Sequence, residues 1–230
     1  MGKLIYPPNA PSGNRESPFP GTTVEGRWNQ MTGSWRQQQK AQLGRQLYQV
    51  ALQLFSDQGY EQTTVQQITD QVGVAKSTFF NHFPSKEHVV VLWYRHLTLA
   101  SLAEVSKQRH TSALEAITAL TDALAVRAAA EPSLVAVKAR IVAASDLLSG
   151  EEVTLDSQLL AFCQEQLAEA RERGELAADL DAEMLSALIL TTVTGTSHEW
   201  VISRHGFDLR EALQNRMAFL FRGATRSRTQ

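Results

Sequence analysis

Six side chains between Lys76 and Lys86 could grip an extended polyanion: Lys76, Ser77, Thr78, Asn81, His82 and Lys86. Their chemistry is hydrogen bonding to phosphate oxygens and base edges, and it depends on a short helix that displays them. The stretch Thr63 to Glu87 supplies one. Thr63 with Gln66, or Thr64 with Gln67, offers a capping box, and Val65, Ile68 and Val72 recur at helical spacing. Gly73 follows where a turn between helices needs positive φ. Ala75 to Asn81 then reads as a second helix, anchored inward by Phe79 and Phe83. A short helix, a glycine turn and a helix of small polar residues suit insertion in a DNA major groove. Any two packed helices could share that outline, but Pro84-Ser85-Lys86-Glu87 opens a further helix with Ser85 as its expected N-cap. A lysine there opposes the helix dipole unless an anion such as a DNA phosphate binds at the same end.

The elements around this stretch are all helical. A helix is expected from about Ser34 to Gln58, with Leu43, Leu47, Val50, Leu54 and Phe55 as its buried stripe and Gly59 as its stop. Ser85 to about Lys107 reads as one long helix, apolar on more than one side and so buried between neighbours. Thr111–Glu131, Ser133–Ser149, Thr154–Arg173, Asp181–Arg204 and Asp208–Phe221 follow, with a break at Gly150-Glu151-Glu152. Thr191 to Ser197 favours a strand by propensity, yet the periodicity on either side carries it as helix. The fold class is therefore all-α: a three-helix head with a helix-turn-helix over 35–84, then a helical domain over 85–223. The stretch 1–34 holds five of the seven prolines and lacks apolar periodicity, so it is expected as a passive, disordered arm; 224–230 is expected as a flexible tail.

Composition narrows the function. The 230 residues carry a formal net charge of −2, so nucleic-acid binding must come from a local patch. From Arg36 to His88, Arg36, Lys40, Arg45, Lys76 and Lys86 stand against Asp57, Glu61, Asp70 and Glu87, a net +1 beside −3 for the remainder. Cys163 is the one cysteine, expected as a small buried hydrophobe; with no disulfide and no long apolar run, a cytoplasmic protein without a membrane contact is expected. Motifs such as G-x-S-x-G, H-E-x-x-H and G-x-G-x-x-G are missing, and Ser197 and His198 are neighbours on a helix, which do not face one another. The histidines lack metal-ligand spacing. No enzyme, metal or cofactor is expected.

The run ALQLFSDQGYEQTTVQQITDQVGVAKSTFFNHFPSKE, Ala51 to Glu87, resembles the TetR (tetracycline-repressor-like) family of transcriptional regulators. The matching positions include Phe55, Gly59-Tyr60, Thr64-Val65, Ile68, Gly73-Val74, Phe83 and Ser85-Lys86-Glu87, and RERGEL at Arg171 to Leu176 is similar to the family's turn before its last two helices. The resemblance implies a dimeric regulator of a palindromic operator on double-stranded DNA, a repressor released by a small-molecule effector. It implies phosphate contacts from Thr64, Lys86 and His82, and base-edge contacts from Lys76, Ser77 and Thr78, with Phe80 and Asn81 on the same surface. Phe80 stands where the family usually has tyrosine, Ala75 where it has a serine cap, and Thr69 where it has alanine. A homodimer through 181–204 and 208–221 is implied too, as is an effector pocket lined by Trp93, His96, Phe162, Cys163, Gln166, Thr192, Thr196 and Trp200. Lys138 and Arg140 are expected on the surface, with contact to an anionic group of the effector as the alternative. The alternative is a DNA-bound module that recruits a protein partner without an effector, as an architectural or cell-division regulator would.

Overall fold

The computed structural model describes residues 24–143, 146–177 and 180–224. Among them run nine helices: α1 (Val24–Gln58), α2 (Val65–Val72), α3 (Lys76–Phe80), α4 (Glu87–Val105), α5 (Ala113–Ala130), α6 (Pro132–Ala143), α7 (Asp146–Glu172), α8 (Ala182–Ile202) and α9 (Leu209–Ala224). None is long and apolar enough to cross a membrane. The chain divides at Arg45. In the first unit α1 begins at Val24 rather than near Ser34, with Trp35 and Lys40 exposed. Residues 1–23 of the expected arm, and 225–230 of the expected tail, lie outside the described residues.

In the second unit, from Gln46 on, the last turns of α1 bury Leu47, Ala51 and Phe55, and Tyr60 packs its ring 5.0 Å from that of Phe55. Local chemistry starts and stops the helices as the sequence suggests. Thr64, not Thr63, caps α2: Gln67 N–H donates to Thr64 Oγ1 (3.2 Å) while Thr64 N–H donates to Gln67 Oε1 (2.7 Å). Thr63 is buried instead, its hydroxyl donating to the Gly59 carbonyl at 2.9 Å. Asp181 accepts from the N–H groups of Glu183 and Met184 to open α8, and Asp208 accepts from Glu211 N–H to open α9. The threonine-rich run of α8 is helical, carried by packing against α6, α7 and α9, and Thr192, Thr194, Thr196 and Ser197 satisfy their hydroxyls by donating to the carbonyl four residues back.

Two further boundaries differ from expectation. α4 starts at Glu87 with Lys86 as N-cap, and Ser85 Oγ lies 3.0 Å from His88 Nδ1 rather than capping the helix. Gly150 does not break the chain as expected: α7 starts at Asp146 and runs through it to Glu172. A glycine inside a helix costs about 1 kcal/mol, which packing of this long helix against α5 and α8 readily offsets.

The main core lies where α5, α7, α8 and α9 meet, around Ile117, Cys163, Leu167, Ile189 and Met217. A smaller cluster joins Ala125, Trp200, Leu209 and Leu213. α4 packs on α5, α6 and α7, so the helix that leaves the head becomes a wall of the helical domain.

Gly73 ends α2 at φ 79° with its N–H donating to the Thr69 and Asp70 carbonyls. A Cβ there meets nothing within 4 Å, so the penalty of Gly73→Ala is backbone strain alone. The variant should lose about 1–2 kcal/mol, read by chemical denaturation; an unchanged midpoint would remove the αL requirement from this turn.

Candidate DNA-reading face and effector cavity

The helix-turn-helix is rigid at its base. Phe79 is fully buried and Phe83 nearly so, their ring centroids 5.3 Å apart. Thr69 is buried, with its hydroxyl donating to the carbonyls of Val65 (3.1 Å) and Gln66 (3.0 Å), so the departure from alanine leaves no polar group unpaired. Ala75 caps α3 without a side-chain bond, as its residue type dictates. Lys76, Ser77, Phe80 and Asn81 are exposed, Thr78 and His82 half-buried. Thr64 is exposed at the start of α2.

Lys86 has a different environment from the one expected. Its Nζ donates to the carbonyls of Tyr60 (2.8 Å) and Thr63 (2.9 Å) and lies 4.0 Å from the centre of the Tyr60 ring. Two of its three N–H groups are thus spent inside the head. Tyr60 Oη donates to Glu87 Oε1 at 2.9 Å, completing a clasp between the α1–α2 loop and the start of α4. Burial pushes the Glu87 carboxyl up, but hydrogen bonds from Ser85, its own backbone and Tyr60, with the Lys86 charge, outweigh it and hold it below the usual range. Burial and the bond to Glu87 push the Tyr60 phenol up. The sequence hides this clasp because its members are more than twenty residues apart.

Beyond the head, a cavity of about 500 Å³ opens between α4, α5, α6, α7, α8 and α9. α4 contributes Trp93, Tyr94 and Leu97; α5 Leu124, Ala125 and Ala128; α6 Val135, Lys138 and Ala139. Leu159, Leu190, Val193, Thr194, Gly195, Ser197, His198, Val201 and Leu213 complete the wall. The surface is mostly apolar with one charged corner. There Lys138 Nζ sits 4.2 Å from the centre of the Tyr94 ring, and Tyr94 Oη donates to Asp156 Oδ1 at 3.0 Å.

Of the eight residues expected around a pocket, Trp93 alone lines this one. His96 is exposed and pairs edge-on with the Tyr48 ring, whose phenol burial pushes up to about 12. Phe162 and Gln166 border a separate polar cleft near Glu165, Glu169 and Arg173. Cys163 is core, its thiol pushed up to about 12 by burial. Thr192 and Thr196 border a hollow on the outer side of α8 and α9, where Arg216 Nη1 donates to Thr196 Oγ1 at 2.7 Å. Trp200 is core, donating from Nε1 to the Phe207 carbonyl at 3.0 Å. For the residues of α8 the difference is rotational: the helix is apolar on several faces, and periodicity alone does not say which one meets the cavity. Lys138, expected on the surface, belongs to the cavity wall, and Arg140 pairs with Glu61 of the head at 2.5 Å.

Two family patterns match the chain. "Bacterial regulatory proteins, tetR family" covers residues 47–91, which is the head and the clasp, and "YsiA-like protein, C-terminal region" covers residues 152–223. The chain belongs to the TetR family of transcriptional regulators. As a TetR-family protein it is 50% identical over 56 residues to the HTH-type transcriptional regulator TcmR of Streptomyces glaucescens, a match spanning 24% of this chain and 25% of that regulator. It is 22% identical over 168 residues to the fatty acid metabolism regulator protein of Bacillus subtilis, covering 71% of this chain and 86% of that one. The fold is similar to that of Thermus thermophilus FadR, a TetR-family repressor solved in complex with lauroyl-CoA, with a TM-score of 0.62 at 23% identity, over 81% of this chain and 98% of that one.

The clasp has a signed pH dependence. Because the folded Glu87 carboxyl titrates below its unfolded value near 4.3, its stabilisation is fully present above that pH. It is lost as pH falls through the folded value. Thermal melts of Glu87→Gln should therefore fall less steeply than wild type below about pH 5, and parallel curves would rule out the carboxylate as the sensitive group.

Proposed function

We propose that this chain is a dimeric repressor that reads a palindromic operator with α3 and lets go when an amphipathic small molecule fills the cavity beside Lys138. The observation that carries it is the position of α4. Its first turn is clasped to the head through Glu87 and Tyr60, and its middle turns supply Trp93, Tyr94 and Leu97 to the cavity. A ligand that shifts α4 shifts the head with it.

The DNA contacts follow from exposure and charge. Lys76, Ser77 and Asn81 face base edges and Thr64 and His82 face phosphates, with Thr78 at the margin of the reading face. Lys86 acts mainly by fixing α4 against the head, and offers its remaining N–H to a phosphate. The dimer forms through α8 and α9. Met184, Leu188 and Ile202 on α8 and Phe219 on α9 are exposed apolar side chains in need of cover, and a second copy gives a four-helix bundle. The chain acts by binding rather than turnover, in keeping with relatives that are regulators.

The effector is a molecule with a long apolar body and a negatively charged or polar end. A cavity of about 500 Å³ with mainly aliphatic and aromatic walls suits the former, and the Lys138 corner the latter. The complex of Thermus thermophilus FadR with lauroyl-CoA makes that compound the first probe. Lauroyl-CoA should bind in calorimetry and lower the anisotropy of a bound operator duplex. Val193→Trp, which fills the cavity, should abolish both effects while DNA affinity stays within about twofold; release of DNA by lauroyl-CoA from this variant would place the effector elsewhere.

A second link joins cavity to head. Arg140 on α6, two residues beyond Lys138, pairs with Glu61 in the α1–α2 loop, both side chains well exposed. Such a surface pair adds little stability, so its part is positional. In a double-mutant cycle, Arg140→Gln, Glu61→Gln and the double variant should shift the half-release concentration of lauroyl-CoA by the same factor. Additive shifts would mean that the two residues act separately.

A further inference from the structure

We propose that Phe80 reads the 5-methyl group of a thymine in each operator half-site, an inference that rests on the DNA-reading role given to α3 above. At helical spacing Lys76, Phe80, Ser77 and the C-cap Asn81 form one continuous exposed arc on α3, while Phe79 is buried on the inward side and Phe83, just past the helix, is buried against it. Phe80 therefore lies inside the arc, flanked by the polar side chains, and not at its edge. It is 47% exposed, and it is the large apolar side chain left in water between Gln46 and Lys86 among the described residues.

The ring is also held. Phe79, with no exposure at all, meets it edge-on at 5.6 Å between centroids and 87° between planes. Phe79 is itself wedged against Phe83, so the base of Phe80 is braced and its outer edge points away from the core. Phenylalanine has no donor or acceptor, and a phosphate or a base-edge heteroatom offers it nothing. Among the groups that line a major groove, the thymine methyl is the apolar one, and it marks T·A apart from the other three pairs. Lys76, Ser77 and Asn81 on the same arc supply hydrogen bonds to the neighbouring pairs or backbone. An apolar reader among polar ones selects by desolvation: a cytosine amine opposite the ring loses water and gains no partner.

The test starts from duplexes enriched out of a random pool by the full-length protein, so no operator need be known. Each thymine is replaced in turn by deoxyuridine, which removes the methyl and keeps every hydrogen-bonding group. At one position per half-site the replacement should weaken wild-type binding about fourfold, as burial of one such group implies. Phe80→Ala should bind the thymine and uracil duplexes equally, whereas Phe80→Tyr, which keeps the ring, should retain the difference. Since residue 80 is exposed, Phe80→Ala should melt close to wild type, and its circular dichroism checks this. An enriched duplex indifferent to uracil at every position, or a uracil penalty that persists in Phe80→Ala, overturns the inference alone. A pool that yields no enriched duplex overturns the DNA-reading function and this inference with it.

Discussion

The ammonium of Lys86, lodged between two carbonyls and the face of Tyr60, is the contact on which the two halves of the mechanism depend. Bonds to a charged donor are worth about 1.5–3 kcal/mol each, and a cation over an aromatic ring adds about 0.5–2 kcal/mol. Those gains are set against withdrawing the charge from water, so the net sum is modest. The geometric effect is larger than the energetic one. Tyr60 lies at the end of the first head helix, Thr63 at the threshold of α2, and Glu87 at the start of α4. One cation and one phenol thus join the end of α1, the start of α2 and the start of α4 at a single junction.

Downstream, the same helix is a wall of the cavity, while α5 anchors the other side. Asp122 on α5 accepts two bonds from Arg210 and one from Gln214 of α9. The α5–α9 pair is therefore a fixed frame, with its own core around Leu209 and Leu213. α4 and α6 reach the head from the cavity, and α8 and α9 carry the exposed apolar side chains that a partner copy would cover. α4 is tied into the same frame, to α5 through Glu104 and Arg127 and to α7 through Tyr94 and Asp156.

Local rules made most of the fold legible. Thr64 with Gln67, Gly73, Asp181 and Asp208 each act within four or five residues, and each stands where the sequence put it. Gly150 misled because a single glycine is a weak stop, and without a left-handed conformation it is simply a poor helix former that packing can carry. The cavity was least legible. On α8, Leu185 and Ile189 go to the core, Met184 and Leu188 to the outer face, and Leu190 and Val193 to the cavity. A helix apolar in three directions carries no sequence signal for which direction is hollow. The carbonyl contacts of Lys86 were hidden for a related reason: a flexible basic side chain looks the same in sequence whether or not it also meets carbonyls of its own domain.

The hydroxyl-rich run of α8 bears on how finely such a sensor can discriminate. Thr194 and Ser197 border the cavity, yet both hydroxyls already donate to their own helix. With those hydroxyl protons spoken for, polar recognition of a guest would fall to the Lys138 corner and His198, and the rest of the wall would sense shape alone. Selectivity then comes from volume and length, which vary in small steps across a homologous series. The response of the regulated genes would grade across related metabolites, and a change of one wall residue by a methylene would retune it without rebuilding the site.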